Sequence, residues 1–225
     1  MSRVLVLTAV DVEARGLARQ LGLTAAGSGG ELRFGGGALE LVCVGPGARG
    51  LGPLLARAPR PALVVSAGAC GALAPELVEG SLVVPEAVLD EGGARFPTAD
   101  VGLRRAGTLL TVTRVVATPA DKARLWLESG ALACDMESAP ILAWARAAGV
   151  PAAVVRGVSD PATRGVPPDL AALVEPDGRV RTARAVRAVL ARPRALADAL
   201  ALRTGTAAAL RAVAQALGGL ARAYA

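Results

Sequence analysis

Apolar residues recur through the first two thirds of the chain in short runs. Each run is followed by a few polar or glycine positions and then by a segment with helical spacing. The runs Val4–Thr8, Leu39–Val44, Leu63–Ser66, Leu82–Leu89, Leu109–Val116 and Ala153–Val158 read as strands. They are apolar on both faces rather than alternating, the pattern of a sheet covered on both sides. Helices are predicted over Val12–Leu21, Leu51–Arg57, Asp121–Glu128 and Ser138–Ala148. The last is the clearest: Ile141, Leu142, Trp144 and Ala145 form one apolar stripe, Pro140 falls in the first turn, and Gly149 ends the helix ahead of Pro151.

Beyond the Pro- and Gly-rich stretch Asp160–Gly178 the pattern becomes helical, with breaks expected near Pro193 and Gly205. There Leu210, Val213, Ala214 and Leu217 follow i, i+3, i+4, i+7 spacing, so one face packs and the other carries Arg. The expected architecture is a single α/β domain, residues 1–177, with a central twisted, mixed β-sheet flanked by helices. An Arg-rich helical C-terminal extension, residues 178–225, packs on it. A length of 225 residues suits one such domain.

Composition narrows the chemistry. The chain has no histidine, which removes Ser-His-Asp triads, Cys-His nucleophiles, His-zinc sites and any imidazole acid or base. No metal site is expected, and the work falls to carboxylates, backbone dipoles or arginine. Cys43, Cys70 and Cys134 are scattered with no CxxC spacing, as expected of reduced thiols in a cytoplasmic protein. No stretch of 18 uncharged apolar residues predicts a membrane span.

The net charge of +6 is uneven. From Gly178 onward nine Arg face one acid, Asp198, giving +8 and leaving −2 for the first 177 residues. That tail fits either a solvated helix face or a peripheral contact with an anionic membrane, at the inner face for a cytoplasmic protein. Nucleic acid is not an expected partner, because two Trp, two Phe and one Tyr are too few for stacking platforms.

Ligands of open α/β sheets sit at the carboxyl ends of the strands. Those exits are Thr8-Ala9-Val10 leading to Glu13, Gly45-Pro46-Gly47, Gly68-Ala69-Cys70-Gly71 (read as a loop), Asp135-Met136-Glu137-Ser138 and Ser159-Asp160. Glu13, Glu137 and Asp160 each have a local role available, the first two as first-turn helix acids and the third as a turn residue before Pro161. Gathered on one rim of a chain without histidine, they also suit acid/base work. Gly45 to Gly50, with Arg49, spells GxGxxG, but the first acid after it is Glu76, beyond a further strand, so a dinucleotide's ribose has no partner. The turn either presents backbone N–H groups to a sugar or anion or is a plain strand-to-helix connection. Cys70 has no local base to make it a thiolate.

The segment Cys134–Ala162, CDMESAPILAWARAAGVPAAVVRGVSDPA, resembles the signature region of the nucleoside phosphorylase/nucleosidase superfamily. Val64–Val88 resembles that family's central strand, glycine loop and following strand, and Leu7–Ala14 is similar to the start of its hydrolytic branch. The resemblance implies cleavage of the N-glycosidic bond of a purine nucleoside without a cofactor. Met136 and Glu137 would grip the ribose, Ser159 and Asp160 would address the purine, and Glu13 would activate water. Gly45, Arg49, Ala69, Cys70 and Gly71 would complete the binding surface. Ser159–Leu200 looks most like the hopanoid-associated nucleoside phosphorylases, which implies adenosylhopane as substrate. The phosphorolytic members' Gly-Asp-Pro-x-Arg motif is replaced by Thr8-Ala9-Val10-Asp11, and their loop serine by Ala69. Hydrolysis is therefore expected, with phosphorolysis, and phosphate as co-substrate, the alternative. Active sites in the family lie near subunit contacts, so a homodimer or higher homo-oligomer is expected.

Overall fold

The computed structural model describes residues 3–27, 31–52, 60–166 and 193–224, with side chains in the last span from residue 203. Eleven strands form one mixed sheet: β1 (Val4–Thr8), β2 (Thr24–Ala25), β3 (Arg33–Gly36), β4 (Leu39–Cys43), β5 (Leu63–Ala72), β6 (Leu82–Val83), β7 (Ala87–Asp90), β8 (Arg95–Pro97), β9 (Thr108–Thr111), β10 (Ala133–Asp135) and β11 (Ala152–Asp160). Among the described residues, α1 (Asp11–Leu21), α2 (Pro119–Ser129), α3 (Ser138–Ala147) and α4 (Pro193–Ala223) accompany them. The expected α/β domain is present, and the sheet is mixed.

The centre is β5. Its first half pairs in parallel with β1 (Val4 opposite Leu63 through Leu7 opposite Ser66). Past the end of β1 its last residues pair antiparallel with β10, Ala72 opposite Ala133. Along its other edge it pairs in parallel with β11, from Val64 opposite Ala152 to Gly71 opposite Asp160. This ten-residue strand corrects the reading of Gly68–Ala72 as a loop. The glycines are strand positions, because pairing with β11 runs on through Gly68 and Cys70 and keeps β5 extended. Likewise β11 runs to Asp160, so Ser159 and Asp160 are strand residues rather than an exit turn. The run Leu82–Leu89 divides into β6 and β7, and Leu109–Val116 shortens to β9. The predicted helix Leu51–Arg57 lies outside the described residues beyond Gly52.

Alternation along the central strands fills a core on each face of the sheet, and a smaller cluster gathers Leu73, Leu110, Val112, Ala131 and Cys134. Leu5, Leu7, Val64 and Val154 face Ile141, Leu142 and Ala145 of α3. Val4, Val6, Val65 and Val155 face Leu210, Val213, Leu217 and Leu220 of α4. The predicted stripe on α4 is thus buried against the sheet, whereas Arg203, Arg211 and Arg222 are exposed. Gly205 does not break that helix: α4 is continuous from Pro193 to Ala223. A Cβ at Gly205 would collide with the Ser159 carbonyl, and one at Gly157 with the backbone of Ala209. Both glycines mark where helix and strand backbones touch.

Candidate active site

Glu13 sits in the first turn of α1, and its carboxylate bridges two elements. Oε2 accepts from the N–H groups of Ala9 (3.2 Å) and Val10 (3.4 Å), and Oε1 accepts from the N–H of Ala69 on β5 at 2.8 Å. The local first-turn role is thus real, but the strongest of these bonds is the non-local one. Burial raises the pKa of Glu13, opposed by the Arg156 guanidinium and the three backbone donors. Gly68 makes the approach possible. A Cβ there would lie 2.6 Å from Glu13 Oε1 and 2.9 Å from Arg156 Nη1, and its φ of +148° is one side chains rarely adopt.

Arg156 is the hub. It projects from the middle of β11, 1% exposed. Its Nη2 lies 2.7 Å from Asp135 Oδ2 and 3.5 Å from Glu137 Oε2, and donates to Ser66 Oγ at 2.9 Å. Its Nη1 donates to the Ala69 carbonyl at 3.3 Å. Burial alone would lower its pKa, but Asp135, Glu137 and Glu13 outweigh that and raise it. Asp135 is an anchor: it also accepts from Thr111 Oγ1 at 2.7 Å and from the Ser138 N–H at 3.1 Å, fixing the start of α3.

Glu137 follows directly. Its Oε1 accepts from the Gly47 N–H at 3.1 Å, which ties it to the Gly45–Gly50 turn. That turn is strained, with positive φ at Gly45 (80°), Gly47 (64°) and Ala48 (55°). Burial pushes the Glu137 pKa up to about 7, against the lowering effect of Arg156. Met136 and Arg49 line an open groove of about 520 Å³ beside this contact, with Pro46, Phe96, Val112 and Pro140.

Asp160 stands opposite Gly71 on β5, where a Cβ would lie 3.0 Å from its Oδ2. The Ser159 hydroxyl lies 2.7 Å from Asp160 Oδ1 and 3.2 Å from the Cys70 carbonyl. Lys122 of α2 donates to Asp160 Oδ2 at 2.5 Å and is itself 1% exposed. Cys70 is buried and its thiol is pushed well above its usual range by burial, so it is no thiolate.

The structure therefore brings Glu13, Glu137 and Ala69 around Arg156, while the turn that begins at Gly45 reaches Glu137 through the Gly47 N–H and Arg49 lines the adjoining groove. Cys70, Gly71, Ser159 and Asp160 lie two to four positions further along the β5–β11 pair. Arg156 and Lys122 went unread in the sequence. A charge inside VVRGV, in a strand apolar on both faces, signals a buried ion pair. Lys122 is the only lysine beside 24 arginines, a substitution pattern broken at one place. Among the described residues no group of three His, Cys, Asp or Glu is arranged to hold a metal.

Residues 98–191 match the family model of the phosphorylase superfamily. No curated protein matches the chain. Solved structures that share its fold include three of stated activity. The 5′-methylthioadenosine/S-adenosylhomocysteine nucleosidase of Neisseria meningitidis, in complex with methylthio-immucillin-A, has a TM-score of 0.72 at 16% identity, over 99% of this chain and 100% of that one. A Helicobacter pylori nucleosidase of the same kind, with 5′-methylthioadenosine in its active site, has a TM-score of 0.72 at 14% identity, over 99% of both chains. The futalosine hydrolase of H. pylori has 0.71 at 15%, over 99% of this chain and 98% of that one. Over residues 98–191 the sequence thus resembles the phosphorylase superfamily, and over nearly its whole length the chain has the fold of these nucleosidases.

Proposed function

We propose that the chain hydrolyses the N-glycosidic bond of an adenine nucleoside substituted at the 5′ position. The observation that carries this reading is the buried Glu13 carboxyl, raised in pKa and held between Ala69 and the Arg156 hub. Such a group is suited to take a proton from water. As the C1′–N9 bond breaks, its electron pair leaves with the base and the ribose takes on oxocarbenium character. The water oxygen bonds to C1′, and its proton passes to Glu13. Glu137 accepts hydrogen bonds from the ribose hydroxyls, and Asp160 with Ser159 serves the purine.

Water is favoured over phosphate as the nucleophile by the cations. Among the described residues the buried ones are Lys122 and Arg156, and both are already bound to carboxylates. A phosphate dianion needs uncommitted donors. The known activities of the structural relatives point the same way, being nucleosidases and a hydrolase.

Our specific substrate is adenosylhopane, on the resemblance of Ser159–Leu200 to the hopanoid-associated group. Support comes from the groove beside Glu137, whose Pro46, Phe96, Val112, Met136 and Pro140 suit an apolar 5′ substituent. The test is adenine release from adenosines carrying hydroxyl, methylthio and long apolar 5′ groups. The expected ranking of kcat/KM rises with the apolar group. Preference for unsubstituted adenosine overturns the substrate assignment, and release from none of them overturns the function.

A further inference from the structure

Two buried ion pairs organise the site, and they use different cations. At the hub, Arg156 meets Asp135 and Glu137. At the purine side, Lys122 meets Asp160. Arginine stays charged at any working pH, whereas a buried lysine can give up its proton. The chain draws 24 of its 25 basic residues from arginine. Its one lysine is placed where a transferable proton lies against Asp160. Resting on the hydrolytic reading above, we propose that Lys122 is a positioning residue that stores the proton Asp160 delivers to the departing purine.

The hydrogen bonds accommodate the first proton shift, and the bond between Asp160 and Lys122 is given up only when the proton leaves for the purine. The Lys122 ammonium donates three times: to Asp160 Oδ2 at 2.5 Å, to the Pro161 carbonyl at 2.9 Å and to the Arg164 carbonyl at 2.9 Å. When one proton crosses to Asp160, the neutral amine keeps two N–H groups for the two carbonyls. Its lone pair then accepts from the new carboxyl O–H. The carboxyl passes that proton to a purine nitrogen as the C1′–N9 electron pair withdraws onto the base. Lys122 ends as an amine, Glu13 as a carboxylic acid holding the proton of water, and both reset by exchange with solvent.

The thiols packed against the pair are uncharged neighbours. Burial pushes the Cys134 thiol of β10 up to about 12 and the Cys70 thiol of β5 well above its usual value. Arg164 contributes its carbonyl, while its guanidinium pairs with Glu79. On α2 itself, Asp121 is exposed enough to pair with Arg124 near the surface.

A single lysine makes the test direct. In wild-type protein labelled with ¹⁵N at lysine Nζ, the one side-chain signal reports ammonium or amine across a pH series. The midpoint of that change should coincide with the basic limb of kcat for adenine release. Activity that persists above the pH at which Lys122 has become an amine overturns the proposal. Lys122→Met should lower kcat about 10²-fold at mildly alkaline pH, the scale of a general-acid contribution. KM should move only a few-fold, and the basic limb should shift to lower pH. Lys122→Arg restores the charge but not the proton, so wild-type kcat in that variant also overturns the proposal. Failure of wild-type protein to release base from any nucleoside rejects the hydrolytic reading instead, whatever the lysine signal does.

Discussion

Glu137 answers to three neighbours: the Gly47 amide, the Arg156 guanidinium and the Asp135 carboxylate. With its pKa near 7, it changes charge in the range where the protein works. In the proposed role Glu137 must be ionised to accept from the ribose hydroxyls, so kcat/KM should fall as pH drops through about 7, and Glu137→Gln should remove this group's share of that limb and leave the share of Glu13. The stability consequence has the opposite sense. Relative to an unfolded value of 4.5, the raised folded value makes this group's contribution complete below that pH and lost as pH rises through about 7. Chemical denaturation should therefore show wild type losing stability relative to Glu137→Gln over that window. A constant difference contradicts the burial argument. Glu13→Gln and Asp160→Asn should each cut kcat by about 10²-fold or more while leaving the fold intact. Near wild-type turnover in either removes its role. The three carboxylates were legible because each follows an apolar run at a strand end. Lys122 and Arg156 were not, because their partners lie 38 residues away for Lys122 and 19 and 21 for Arg156. Sheet register brings Arg156 to its partners, and the packing of α2 on the sheet brings Lys122 to Asp160.

At the scale of elements, two glycines carry more than local freedom. Gly157 on β11 and Gly205 on α4 hold strand and helix in backbone contact directly beside Arg156 and Asp160. Gly157→Ala should cost on the order of 1–3 kcal/mol through overpacking, read by chemical denaturation, and should lower kcat because α4 must shift away from the strand that carries the site. An unperturbed variant would show that the contact is slack. Leu217→Ala, further along the same helix in the stripe packed on the sheet, should cost about 2–5 kcal/mol. The helical stripe on α4 was readable from spacing alone. Its continuity through Gly205 was not, because a glycine's role as a breaker or a contact depends on what lies across from it. For the same reason Gly68–Ala72 read as a loop: glycine marks close approach, and the approaching groups, Glu13 and Asp160, come from other elements.

For the whole molecule, the tail and the assembly follow from what the surface keeps. The described leucines of α4 are spent on the sheet, and Arg203, Arg211 and Arg222 stay solvated. We expect the protein to remain in the supernatant with anionic vesicles at low salt. Salt-sensitive pelleting would assign the Arg-rich tail a membrane role instead. A homodimer is our expectation for light scattering at micromolar concentration, and a monomer would count against it. The most direct measurement concerns the sugar. With nucleoside in phosphate buffer, hydrolysis predicts a free 5′-substituted ribose and an adenine release rate indifferent to phosphate concentration. A ribose 1-phosphate product, formed at a rate that rises with phosphate, would contradict it.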